Sequence, residues 1–207
     1  EQTVKELVCA SYRYFELTGD LPFAYRERQS HSALMPAIAK VADTALVEVP
    51  VTRRIKRKAR HGWVDYWVSY DSTDLYLELK HGWQSIHSQE IRQKTSKSWE
   101  DLAGQIKSLD ARLKDISLWS EIVKVGLMLV PCYKGSRDKT SLKPVGRDET
   151  TALVDLVQSK LEAPAPTWSA IWHLPPKLQQ EPYAFKNESW FELYAAVLFM
   201  AYIERIN

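Results

Sequence analysis

Two acidic side chains and a lysine lie on neighbouring predicted strands, in a region that is otherwise rich in apolar and aromatic residues. Asp65 belongs to segment 63–70, and Glu78 and Lys80 belong to segment 75–81, which follows after a short polar break. Charged side chains inside a sheet are costly to bury unless they pair with one another or bind a metal ion. These three residues are therefore the first candidates for chemistry.

Side-chain periodicity locates the elements that position these residues. Glu78 and Lys80 share one face of their strand, and strict alternation along the strand before it predicts one face formed by Trp63, Asp65, Trp67 and Ser69. Apolar spacing and capping or breaking residues predict the other elements. They are helices over 4–15, 30–43, 98–113 and 150–161, strands over 46–52, 63–70, 75–82, 123–130 and 168–174, and a last helix that Ser189 and Glu192 open as a capping box.

This order of elements predicts an α/β fold with some α+β character, in which helices flank a central mixed sheet. Three antiparallel strands precede a long helix and a strand that is apolar on both faces. The chain, 1–207, is predicted to be one domain, with a core at about 27–131 and a C-terminal extension of helix and strand at about 148–207.

The catalytic pattern resembles that of the PD-(D/E)xK nuclease superfamily. Asp65 is followed, after twelve residues, by Glu78-Leu79-Lys80, which is the only Asp/Glu-x-Lys triplet in the chain. Val64 stands where the family has its proline, and that proline is often absent among its members. The resemblance implies the restriction endonuclease-like fold, with an αβββαβ core.

The resemblance also implies an endonuclease that hydrolyses DNA phosphodiester bonds with Mg²⁺ or Mn²⁺. Such hard cations prefer oxygen ligands, so Asp65, Glu78 and the backbone carbonyl of Leu79 are the expected ligands. The ion lowers the pKa of a bound water and polarises the phosphoryl group. Lys80 matches the family's catalytic lysine, which orients the water and stabilises the developing charge. RNA stays open as a substrate, as does single-stranded or branched DNA.

Three further positions follow from the resemblance. Glu27, at the entry to the second helix, matches the acidic residue that many members carry there, in preference to Glu16. Glu48, inside the first strand, competes with Glu27 for this role at the metal. Gln105 matches the glutamine on the helix after the catalytic strand, with an amide that can reach a substrate phosphate.

A basic segment between the first two strands is the candidate nucleic-acid surface, because cations that neutralise phosphates release counterions. We expect it to form a hairpin tip near the site. Trp63, Trp67 and Trp83 flank the site and can stack on unpaired bases. The basic residues are Arg53, Arg54, Lys56, Arg57, Lys58 and Arg60.

Each feature also has a structural explanation. The three site residues can form an ion pair or triad on a half-exposed sheet face, the basic segment can be a solvated tip that protects an edge, and the tryptophans can belong to the core. A catalytically inactive nucleic-acid-binding or scaffold protein with the same fold is therefore the alternative function.

Composition limits the class of protein. An apolar fraction of 45% and an aromatic fraction of 11% are typical of globular chains, and the formal charge is only +2. Cys9 and Cys132 are too few for a disulfide framework, so we expect small buried side chains and a cytoplasmic, reducing location. No signal peptide or membrane span is visible. Many enzymes of this fold that cut both strands act as dimers, which makes a homodimer one expected arrangement.

Overall fold

One mixed sheet of eight strands, flanked by four α-helices, is formed by the residues that the computed structural model describes, 1–56, 58–109, 121–161, 164–185 and 187–206. The helices are α1 (Gln2–Thr18), α2 (Glu27–Ala39), α3 (Gln93–Ser108) and α4 (Arg147–Lys160). The strands are β1 (Thr44–Ile55), β2 (Lys58–Tyr70), β3 (Thr73–His81), β4 (Gln84–Ser85), β5 (Glu121–Ser136), β6 (Trp168–His173), β7 (Tyr183–Phe185) and β8 (Trp190–Ile206).

The strands follow the spatial order β1-β2-β3-β5-β8-β6, with β4 paired to β5 and β7 paired to β8. The first three strands form the predicted antiparallel meander. From β3 the chain crosses over through α3 and returns as β5, parallel to β3, which is the connection that a parallel pair requires. The predicted α/β class with a mixed sheet is thereby confirmed.

Helices cover both faces of the sheet because its central strands are apolar on both sides. Leu127 and Leu129 of β5 pack in a cluster with residues of α1 and α2. Met128 and Val130, which alternate with them, pack against α3 and α4. This two-sided burial explains the continuous apolar run that predicted β5.

The predicted C-terminal helix is wrong, because the segment opened by Ser189 forms strand β8. This strand pairs with β5 along most of its length and with β6 on its other edge. A long apolar run satisfies helical and strand spacing equally well, so periodicity alone could not separate them. No helix within the described residues is long and apolar enough to cross a membrane.

One other expectation is refined and one is wrong. The basic segment forms the tip of the β1–β2 hairpin as predicted, but the strands are longer than expected, since β1 extends to Ile55 and pairs there with Lys58 at the start of β2. Its cations therefore lie mainly along a paired arm of two strands. Cys9 is exposed, whereas Cys132 is buried as expected.

Candidate active site

Strands β2 and β3 separate where the predicted site residues lie. Their last registered pair joins Tyr66 to Leu77, although both strands continue beyond it. At the next position Asp65 Oδ2 accepts a hydrogen bond from the backbone N–H of Leu79 at 2.7 Å. The Asp65 carboxylate thus takes the place of a backbone acceptor where β2 and β3 separate. We call this point the fork; Glu78 and Lys80 lie directly beside it.

The predicted alternation of β2 breaks at the same point. Val64 packs in the cluster that includes Trp67 and faces α3, whereas Tyr66 packs in the cluster beneath α1 and α2. Glu48 and Asp65 lie between the registered pairs Val47–Tyr66 and Val49–Val64 of β1 and β2, and the φ of Glu48, 52°, is in the left-handed region. A non-glycine residue inside a strand rarely adopts this conformation. The irregular backbone therefore coincides with the fork.

An open cleft of about 580 Å³ lies on the α2 side of the fork. Asp65 and Glu48 line it from the sheet, and Glu27, Arg28 and His31 line it from α2. Both additional acidic residues proposed from the sequence are therefore brought to the same cleft as Asp65. Three carboxylates, an arginine and a histidine thus line one cleft together with the apolar side chains of Met35 and Val47.

Lys80 lies next to the first turn of α2. Its Nζ is 3.8 Å from Glu27 Oε1, and the two side chains are 22% and 40% exposed. An ion pair so accessible to water contributes little to stability. Glu16, the rejected alternative to Glu27, instead pairs with Lys177 at 3.1 Å.

His31 is a cleft residue that the sequence analysis missed. Its Nδ1 is 2.7 Å from the Tyr66 hydroxyl, and its Nε2 is 4.0 Å from Glu27 Oε1. The signal that could have identified it is its spacing of four residues from Glu27, which places both on one face of α2.

Glu78 points away from solvent and is paired with an arginine. Its side chain is 3% exposed, and Arg53 Nη2 donates a hydrogen bond to its Oε1. Burial and the negative charge of Asp65 raise the pKa of Glu78 from its ordinary 4.5 to about 7, although Arg53 opposes this shift. The carboxylate is therefore electrostatically destabilised without its arginine.

Arg53 does not form part of an exposed basic surface, in contrast to the prediction. Its Nη1 donates to the carbonyl of Gln105 at 2.9 Å and to Ser108 Oγ at 3.2 Å, and its Nη2 also donates to the carbonyl of Trp63. These bonds tie β1 to the last turn of α3. Gln105 thus lies beside Arg53 on the α3 side of Glu78, with its Oε1 buried and without a hydrogen-bond partner among the described residues.

Gly62 provides the space for Arg53 to reach Glu78. A Cβ at this position would lie 2.8 Å from Arg53 Cδ and Nε. We expect Gly62→Ala to displace the arginine and to lower the free energy of unfolding by about 1–3 kcal/mol, measured by urea denaturation. Gly104→Ala is the control, because a Cβ on Gly104 in α3 meets nothing within 4 Å and should be neutral or stabilising. Equal effects of the two substitutions would contradict this role of Gly62.

The other predicted basic and aromatic residues lie along the arm or beside it. Arg54, Lys56, Lys58 and Arg60 are exposed, and Arg57 lies outside the described residues. Trp63 is 56% exposed. Trp67 and Trp83 are half-buried, and Lys94 Nζ lies 5.5 Å from the centre of the Trp83 ring.

The donor atoms at the fork suit a hard cation. Among the described residues, no three His, Cys, Asp or Glu side chains are close enough together to enclose a metal ion. Mg²⁺ does not require such a cage, because it keeps several waters and is often held by one or two carboxylates together with substrate phosphates. Asp65, with Glu27 and Glu48 in the same cleft, meets that smaller requirement.

Comparisons of the chain with protein-family models, curated proteins and solved structures found no match.

Proposed function

We propose that the protein is a divalent-metal-dependent endonuclease that hydrolyses phosphodiester bonds of DNA. The observation that carries the proposal is the fork between β2 and β3. There the carboxylate of Asp65 accepts a hydrogen bond from the backbone N–H of Leu79, the residue between Glu78 and Lys80. Asp65 also lines a cleft that contains acidic and basic side chains. This combination suits a substrate that brings phosphate oxygens to a metal ion.

The topology supports the finer fold assignment to the restriction endonuclease-like group. The elements α2, β1, β2, β3, α3 and β5 follow one another in the order αβββαβ. The strand with the Glu-x-Lys triplet is parallel to the strand after the crossover helix. Both features agree with the resemblance to the PD-(D/E)xK superfamily, which rests on residues rather than on any matched relative.

Asp65 and the Leu79 carbonyl are the proposed primary ligands of Mg²⁺ or Mn²⁺, together with Glu78 once one of its oxygens faces the ion. Glu27 and Glu48 are the candidates for binding the metal ion through its coordinated water molecules. When bound, the ion supplies Lewis-acid polarisation of the phosphoryl group and a water of lowered pKa.

The chain's own residues account for orientation and charge. The Lys80 ammonium, close to Glu27, is placed to hold the attacking water and to stabilise the charge that develops on the phosphoryl oxygens. Arg53 keeps Glu78 in a fixed orientation. Arg28 adds a positive charge to the α2 wall of the cleft, where a substrate phosphate can bind.

Plasmid cleavage tests this proposal. Purified protein should nick or linearise DNA with Mg²⁺ or Mn²⁺ and not in EDTA, and Asp65→Asn should lower the rate by roughly a hundredfold or more. Asp101→Asn, on the exposed side of α3, is the matched control. Cleavage that persists unchanged in Asp65→Asn would refute the site, and the same assay on RNA separates the two substrates. A homodimer stays a prediction.

One observation favours the alternative, a nucleic-acid-binding protein without catalysis. Arg53 already occupies Oε1 of Glu78, so the pair is complete without a metal. Such a protein would shift DNA in a salt-sensitive manner, independent of metal, and would leave the plasmid intact.

A further inference from the structure

Trp63 is exposed on the strand that carries Asp65. The residue is 56% exposed, and its ring lies edge-to-face with that of His61, with centroids 5.2 Å apart and an interplanar angle of 84°. Val64 between Trp63 and Asp65 packs towards α3. Trp63, which pairs with Pro50, therefore faces the other side of β2, and Asp65 lines the cleft that opens on that side.

The surface around Trp63 leaves its ring uncovered. Pro50, directly across the β1–β2 pair from Trp63, is itself exposed. Farther along β1, beyond Glu48, Val47 is 54% exposed and lines the cleft. Exposed apolar side chains thus flank the cleft at both ends, and such a surface indicates a binding site.

Charge identifies the class of partner. The chain carries no acidic residue between Glu48 and Asp65, while exposed cations occupy the arm around its turn. An aromatic ring followed by cations is the arrangement that binds a single nucleic-acid strand, because the ring stacks on a base and the cations contact phosphates. A paired base inside a duplex does not offer its face to such a ring. Of the exposed cations, Arg54 shares the face of Trp63 and Lys56 lies at the turn, whereas Lys58 and Arg60 alternate onto the opposite face, that of Gly62 and Arg53.

We propose that the open face of the β1–β2 arm binds unpaired nucleotides, with Trp63 stacking on a base and Arg54 and Lys56 contacting the backbone. The inference deepens the proposed nuclease function, since it makes single-stranded DNA or an unpaired segment beside the cut the preferred substrate. The binding surface itself requires no metal and no cleavage.

Binding in EDTA tests this surface separately from catalysis. Wild-type protein should bind a labelled oligothymidylate more tightly than a duplex of equal length, measured by fluorescence anisotropy. Trp63→Ala should weaken oligothymidylate binding by about 5-fold to 100-fold, as loss of one stacked base implies, whereas Trp63→Phe should lose less. Tyr70→Ala is the matched control, because Tyr70 is 49% exposed at the other end of the same strand.

Salt dependence separates stacking from charge. Trp63→Ala should leave the slope of log affinity against log salt unchanged, while Arg54→Met with Lys56→Met should reduce it. Equal affinity of Trp63→Ala and wild type for the oligothymidylate would overturn the proposal. So would a wild-type protein that binds the duplex as tightly as the oligothymidylate, if Trp63→Ala leaves duplex binding unchanged. Absence of metal-dependent cleavage would refute the nuclease function and leave this result standing.

Discussion

Lys80→Met should lower the rate of metal-dependent DNA cleavage by about a hundredfold to ten-thousandfold while the protein stays folded. A positioned group that assists proton transfer or stabilises charge in the transition state contributes an effect of this size. The fold should tolerate the change, because Lys80 is 22% exposed and its partner Glu27 is 40% exposed, with 3.8 Å between the charged atoms. Plasmid cleavage under single-turnover conditions, with urea unfolding of the same preparation, measures both effects.

Lys97→Met is the matched control for the charge change. Lys97 is exposed on α3, so its loss alters net charge by the same amount without altering the fork. We expect it to cleave within a few-fold of wild type. A Lys80→Met protein that cleaves at the rate of Lys97→Met would remove Lys80 from the mechanism, even if cleavage itself is metal-dependent.

The neighbourhood of the site residues could be predicted from local patterns. Two strands joined by a short turn must pair, so Asp65 and Glu78 had to lie near each other once both segments were identified as strands. The crossover helix and the apolar strand after it were equally clear. The position of Glu27 depends on how α2 packs on the sheet, and it was supplied by the resemblance.

The orientation of Arg53 could not be predicted, because it depends on contacts distant in sequence. Its guanidinium donates hydrogen bonds to the Gln105 carbonyl in the last turn of α3 and to the buried Glu78. The Arg53 side chain also needs the space that a Cβ at position 62 would fill. In the sequence Arg53 is one cation within a basic run, and such runs usually face water. The break in alternation at Asp65 has a similar cause, since it follows from the separation of β2 from β3.

Arg53→Met should lower the free energy of unfolding by about 3–5 kcal/mol, which is the second large effect that we expect. Removing one partner of a buried ion pair leaves the other charge without compensation, and Glu78 is only 3% exposed. The change also removes the Arg53 donor from Ser108 Oγ and from the Gln105 carbonyl, although that carbonyl still accepts a hydrogen bond from Ser108 Oγ. Urea denaturation at about pH 8 measures the loss.

Arg60→Met is the control, because Arg60 is the exposed cross-strand partner of Arg53. Its effect should stay within about 0.5 kcal/mol. The double variant Arg53→Met with Glu78→Gln should recover part of the loss, since a neutral amide costs less to bury than an unpaired carboxylate. A double variant no more stable than Arg53→Met alone would show that lost packing, rather than buried charge, sets the effect.

The pH dependence of Arg53→Met gives the sign of the electrostatic contribution. In the wild type the folded-state pKa of Glu78 is raised from 4.5 to about 7, so the folded protein binds the proton more tightly than the unfolded chain does. The contribution of Glu78 to the free energy of unfolding therefore falls as pH rises from about 4.5 to about 7 and is level above that range. Arg53 opposes the raised pKa, so its removal moves the pKa of Glu78 higher, and the variant should continue to lose stability above pH 7. The difference between the two proteins should accordingly be smaller near pH 5 than near pH 8, and a difference that is equal at both values would mean that Glu78 carries no unpaired charge in the variant.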